Sequence, residues 1–520
     1  MNLKLLSIVL FSIIILWIFF ALQVDRNYLQ TLSAAIKRRL LNERDIILTD
    51  NDSLNFLLRK TKEGTEEEAL TILQLISSQP VNHEKFYLEG LHHPSIRVKQ
   101  LTLGYIRSQH YSDLLPELKK LLEAPDVISY LPQLLRTISA LDTKEDISSY
   151  LSHENHEVSN AVAMGFLAYD HCQKEKAYQH IKELFKSAEA MHKISGLEIV
   201  GEMKIHQFSD DVATLISHEN ENIRNSAFLV AGKLANENML ATLLAGYGQS
   251  DDDKCILKAL GFAGEAAIAP VKYFLQTQKM EKNKRHQLYG LIGKIGGDAA
   301  ANLLQESLQR FPGDEYNLLS ILYQPQFPAP KNNNAYINLV KKNIENASKH
   351  LVALTTLKAH NHSHHLLIRA LELELVSIRD KCLFLFSFLY DRERIRKSKI
   401  GFELNTRESN ANAFELIDMV VPKEFSVPFI LIFEHGDPLH KDPQLMKFFK
   451  TAPVTVHALM VDILRDENYT YSDWTKACCI YGFGKQLDLS DVKLIEPYST
   501  SDNPILRETA IALLEETSEI

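Results

Sequence analysis

The residues best able to do chemistry are a histidine cluster, two Gly-Lys stretches, an acidic triplet, a basic run and a cysteine pair. His360, His362, His364 and His365 could ligate a transition metal, which needs imidazoles converging at about 2.0–2.1 Å with carboxylate or thiolate company. No such company stands near them in sequence, and His364 with His365 reads as the start of a helix through Leu366, Leu367 and Ile368. Gly482-Phe483-Gly484-Lys485 and Gly293-Lys294-Ile295-Gly296-Gly297 suggest phosphate loops. A P-loop needs a glycine five residues before its Gly-Lys and a hydroxyl after it. Cys479 and Gln486, or Leu288 and Ile295, occupy those positions, so both stretches read as helix ends with left-handed glycine caps. Asp251-Asp252-Asp253 lacks the spaced ligands of a calcium loop and reads as a solvated turn. Arg392, Arg394, Arg396, Lys397 and Lys399 could meet phosphates or lipid headgroups, but Asp391 and Glu393 dilute the run, which reads as a solvated face. The five cysteines, Cys172, Cys255, Cys382, Cys478 and Cys479, form no CxxC pair and read as reduced core residues. The expectation is no catalytic, cofactor-binding or metal-binding residue, no cofactor and no enzymatic activity.

The elements that position these residues read as paired helices. In Ser209–Asn236, Val212, Leu215 and Ile216 make one apolar face at three-four spacing. The polar turn 218–222 follows, then Ile223, Ala227, Val230, Ala231 and Leu234 at the same period. Ser209 and Asn222 are the expected N-caps. Neither short helix can bury its face alone, so the pair must stack on neighbours. Thr65-Glu66-Glu67-Glu68 is a capping box opening a helix through Leu70, Leu73 and Ile76. Similar breaks at His93-Pro94-Ser95 and His153-Glu154-Asn155 align Ile96, Val158 and Ile223, a repeat of about 31–33 residues, near the two-helix repeat lengths.

The chain has 520 residues, 45% hydrophobic and 24% charged, which is ordinary for folded protein. Its net charge of −9 argues against a general nucleic-acid binder. Leu5–Val24 carries no charge and is long enough to cross the ~30 Å hydrocarbon core at 1.5 Å per residue. Bulky Phe19 and Phe20 precede Ala21, which favours an uncleaved anchor over a signal peptide. Arg26, Lys37, Arg38 and Arg39 outnumber the charges before the span and place the following chain in the cytoplasm. Residues 25–50 form a juxtamembrane helix and connector. Helical arrays follow at 51–324 and 336–520, separated by a Pro/Asn-rich linker at 325–335.

Tyr390–Arg396, Arg407–Asp418, Asp473–Cys478 and Asp502–Ala510 resemble the C-terminal HEAT-repeat region of bacterial major-facilitator-like proteins related to ADP/ATP exchange carriers. The exit of the apolar span into Asp25–Leu32 is similar to the last membrane helix of such carriers. The resemblance does not extend to the family's earlier membrane helices, where nucleotide would bind. The resemblance implies a cytoplasmic HEAT array on one membrane helix.

Together these readings predict an all-α, HEAT-like superhelix (a solenoid) with one N-terminal transmembrane helix. The expected function is a scaffold at the bacterial inner membrane that binds another protein. The alternative is an accessory or split subunit of a nucleotide or solute carrier. A HEAT-type lyase or glycosylase is disfavoured by the acidic balance and the missing acid/base pair.

Overall fold

The computed structural model describes residues 51–520 apart from 170, 250–251, 329–332, 360–363, 435–454, 485–486 and 519–520. Leu5–Val24, the juxtamembrane segment and the basic trio Lys37–Arg39 lie outside the described residues. Among the described residues there is no strand, and no helix is long and apolar enough to cross a membrane. Two compact units meet at Met239 and Leu240.

The first unit begins with α1 (Asn51–Glu63), α2 (Glu66–Ser77), α3 (Glu84–His92) and α4 (Ile96–Ser108). The Thr65 box forms as expected. Thr65 Oγ1 accepts from Glu68 N at 3.3 Å, and Glu68 Oε2 accepts from Thr65 N at 3.0 Å. Helices α5 (Leu115–Leu121), α6 (Leu131–Leu141), α7 (His156–Ala168), α8 (Lys174–Lys186), α9 (Ala190–Met203), α10 (Ser209–Leu215) and α11 (Glu221–Leu234) continue the chain. In each pair the second helix packs on the second helix of the next, giving the row α4, α6, α7, α9, α11. Before α7 a single 3-10 turn, Ser148–Ser152, takes the place of a first helix. This is the one-dimensional stacking that solenoids use to make a continuous core from helices that cannot bury themselves alone.

The face read from the repeat unit is buried as predicted: Val212, Leu215, Ile216, Ile223, Ala227, Val230, Ala231 and Leu234 all lie in the core. Each large aliphatic side chain so buried stabilises the fold by about 1.5–3 kcal/mol. The caps differ from expectation. Ser209 is the first residue of α10, and its hydroxyl donates to the His206 carbonyl at 2.7 Å. Asn220, not Asn222, caps α11, its side chain accepting from Asn222 N and Ile223 N. The repeat alignment also shifts, because Ile96 is 40% exposed, whereas Val98, like Val158 and Ile223, is buried.

The second unit continues the pairs through α12 (Glu237–Gly246), α13 (Asp253–Ala263), α14 (Ile268–Thr277), α15 (Lys282–Ile295), α16 (Gly297–Arg310) and α17 (Glu315–Leu322). Two long helices then form a hairpin, α18 (Asn333–Lys358) and α19 (His365–Leu389). Cys382–Phe388 is the buried end of α19. A branch of three helices, α20 (Arg392–Leu404), α21 (Arg407–Val420) and α22 (Lys423–Phe433), packs on the hairpin through Phe386, Phe402, Phe414 and Phe429. The row resumes on α19 with α24 (Asp473–Phe483) and α26 (Pro504–Ser518). Their partners are α23 (Val456–Leu464) and α25 (Leu489–Ile495).

The start of the proline break is docked within this unit. Phe327 is buried, and Arg392 donates to the carbonyls of Phe327 and Tyr323 at 2.8 Å and of Gln324 at 3.0 Å.

Candidate functional site

The second unit carries an open groove of about 720 Å³ walled by the start of α19, the end of α24 and the middle of α26. His364, Leu366, Cys478, Tyr481, Glu508 and Thr509 face it. It is built by the row geometry, which sets α24 against both α19 and α26. Gly482 lets His364 approach, since a Cβ there would lie 3.1 Å from His364 Nδ1. Among the described residues that buried nitrogen has no hydrogen-bond partner, and burial holds the imidazole below its usual range. Burial, with the Glu374 charge behind it, pushes the Cys478 thiol up, so the wall lacks a ready thiolate. Aromatic and aliphatic side chains stand on the same helices. Tyr481 is 63% exposed, Trp474 50% and Leu366 38%, with Trp474 and Tyr481 two turns apart on one face of α24.

Three polar constellations lie elsewhere, and none was nominated by sequence. His350 on α18 is fully buried. Its Nδ1 donates to the Asn346 carbonyl at 2.8 Å and its Nε2 meets Glu374 on α19. Glu374 also accepts from Ser472 N at 2.6 Å and Thr475 Oγ1 at 2.7 Å, tying α24 to the hairpin. Burial raises the Glu374 carboxyl, but His350 and these donors outweigh it and hold it below its ordinary range.

Asp314 is buried just before α17. Arg285 grips it with two bonds at 2.8 and 3.2 Å, His286 Nε2 stands 3.1 Å away, and Tyr289 donates at 3.3 Å. Burial works against the charge, yet these partners keep the carboxyl below its usual value. In the third constellation, His457 Nε2 lies 2.9 Å from Asp491 Oδ1. Ligand atoms of His457, Asp488 and Asp491 lie within 4.8 Å of one another, the one metal-like grouping among the described residues. Asp488 Oδ1, however, accepts from Asp491 N and Ser490 N, and Asp491 Oδ2 accepts from Asp488 N. These oxygens form a capping box on a helix of seven residues, with His457 as a strut from α23. All three constellations are saturated by their own neighbours, the mark of a structural clamp.

Of the residues singled out in sequence, His360 and His362 lie outside the described residues, while His364 and His365 stand at the groove. Gly296 and Gly484 end helices, at φ 71° and 67°, but with ψ near 180° rather than in the left-handed helical well. That backbone region is also reserved for glycine. Asp253 is not a solvated turn residue. It is buried, accepts from Gly248 N at 2.7 Å and pairs with Lys284 on α15. The basic run is neutralised locally: Arg394 pairs with Asp391, Arg396 with Glu393 and Lys399 with Glu403. Cys382, Cys478 and Cys479 are core thiols, whereas Cys172 is exposed and Cys255 half-buried. The turn after α7 explains Cys172, because His171 stacks on Phe166 inside and leaves its neighbour outside.

Compared with protein-family models and with curated proteins, the chain has no match.

Proposed function

We propose that this chain is a HEAT-type helical-repeat scaffold, held at a bacterial inner membrane by Leu5–Val24, that binds another protein on its cytoplasmic side. The observation that carries the reading is the groove between α19, α24 and α26, rimmed by exposed Tyr481 and Leu366, with exposed Trp474 two turns before Tyr481 on α24. Large amphipathic aromatics around a concavity are the usual anchors of protein recognition. The saturated state of the His350, Asp314 and His457 constellations supports a binding role over a catalytic one. The resemblance of residues 390–510 to the tail of exchange-type carriers supports a membrane carrier as the bound protein. The test is co-purification from membranes with wild type and a Trp474→Ala/Tyr481→Ala variant. A partner retained by the folded wild type and lost by the equally folded variant supports the proposal. Equal retention refutes the groove as the binding place.

A further inference from the structure

The row of second helices in the first unit sets an imidazole of one pair against an imidazole of the next. His156 opens α7, and His192 stands in the first turn of α9. The two helices pack side by side, and one turn beyond His156 they are tied where Asn160 Nδ2 donates to Glu198 Oε2 at 3.0 Å. The two rings meet edge-on, with centroids 5.0 Å apart and planes at 82°. Two imidazoles bound to one tetrahedral ion at about 2.0–2.1 Å would hold their centroids about 5 Å apart.

A carboxylate stands beside them. Glu189-Ala190-Met191-His192 places it three residues before the imidazole, on the same face of the turn that opens α9. Glu189 is the N-cap residue, yet its side chain makes no capping bond and is 72% exposed. Its Oε2 lies 3.5 Å from His192 Nε2, too far for a charge-assisted hydrogen bond. Two ligand atoms on one tetrahedral ion stand about 3.3 Å apart. His192 Nδ1 meets Ser187 Oγ at 2.8 Å, and the same oxygen accepts from Glu189 N at 3.1 Å. In the tautomer that donates to Ser187, the Nε2 lone pair faces the carboxylate, and a cation between them satisfies both. An outer hydrogen bond of this kind orients metal-bound histidines.

The contrast with His457 is instructive. There the oxygens are spent on a helix cap, whereas the His156 ring nitrogens have no hydrogen-bond partner among the described residues. The ligand atoms of His156, Glu189 and His192 are not drawn within 4.8 Å of one another as those of the His457 group are. Rotation of the half-buried His156 ring and the exposed Glu189 side chain closes the set. A further imidazole stands on α8, which packs on both α7 and α9. His180 Nε2 is buried with no hydrogen-bond partner among the described residues, and burial holds the imidazole below its usual range, so it stays neutral at pH 7.

We propose that His156, Glu189 and His192 bind a divalent transition ion of the zinc type, with water in the fourth position. Two imidazoles and a carboxylate are the donor set that such an ion takes when one position stays open. The bound ion fastens α7 to the turn before α9. The site lies in the first unit and does not depend on the protein-binding groove of the second.

The test is Co²⁺ titration of the full-length protein in detergent, carrying His360→Gln, His362→Gln and His365→Gln so that the sequence-local histidine cluster does not compete. Co²⁺ should give the visible d–d band of a tetrahedral site, saturating at one ion per chain, and Zn²⁺ should displace it. Mg²⁺, which requires octahedral oxygen ligation, should not. His156→Gln and His192→Gln should each abolish the band with helical content by circular dichroism unchanged. Ser187→Ala, which frees the His192 ring, should weaken Co²⁺ binding about tenfold. His457→Gln should leave the band as it was. No tetrahedral band, a band that survives in both histidine variants, or a band lost in His457→Gln would overturn the proposal.

Discussion

The Nδ1 of His218 accepts the backbone N–H of Asn220 at 3.0 Å, and Asn220 in turn caps α11. The same bond joins His93 to Ser95 and His153 to Asn155, each at 3.0 Å, ahead of α4 and α7. In each case the imidazole braces the turn and the next-but-one side chain caps the helix. A buried aliphatic follows three residues after the cap: Val98, Val158 and Ile223. The histidine is thus part of the repeat's turn chemistry and not a ligand.

Removing the Asn220 cap should therefore matter more than removing its neighbour. Asn220→Ala is expected to cost about 1 kcal/mol. Asn222→Ala should stay within about 0.5 kcal/mol of wild type. Denaturant midpoints of the two variants check this, and a larger loss from Asn222 would restore it as the cap.

The interior of the same pair is close-packed. Ala231 is fully buried on α11, which lies against α9. Ala231→Trp should overpack the contact and cost about 1–3 kcal/mol. An unchanged midpoint would mean that this face is not the core.

Glu374 sets a dependence on pH. Its carboxyl is held below the ordinary range in the folded chain. Its stabilisation is thus present above the unfolded carboxyl pKa and is lost as pH falls through the folded value. Glu374→Gln should cost about 1–3 kcal/mol at neutral pH by removing the carboxylate that bonds His350, Ser472 N and Thr475 Oγ1. The variant's acid unfolding should be shallower than wild type in that window. Parallel curves for the two proteins would remove Glu374 as the group responsible.

Much of the helical face was legible because three-four spacing directly reports which side is buried, as at Val212–Leu234. The exact cap was less legible because the whole 218–222 turn is polar and several side chains could serve. The His350–Glu374 and Arg285–Asp314 clamps were invisible, since their partners come from different helices and meet only through the register of packing. The long α18–α19 hairpin was missed for a related reason: periodicity reports a face, while length depends on where a chain turns. The groove was partly legible, as His364 and His365 were singled out. Its other walls, Tyr481 and Glu508, come from α24 and α26, and only the row brings them there.

Under the proposed anchoring by Leu5–Val24, the flanking Arg26, Lys37, Arg38 and Arg39 are expected to favour a cytoplasmic array. Alkaline phosphatase fused after Ile520 should be inactive and green fluorescent protein bright. The reverse pattern would place the array on the other side of the membrane.

The most direct measurement of the scaffold reading is site-specific photo-crosslinking in intact cells. A photoreactive residue replaces Tyr481 at the groove or, as a control, Tyr273, which is 70% exposed on α14. The account predicts one discrete protein adduct from position 481 and none from 273, with the adduct lost on Trp474→Ala. Absence of an adduct at 481, or the same adducts from both positions, would contradict it.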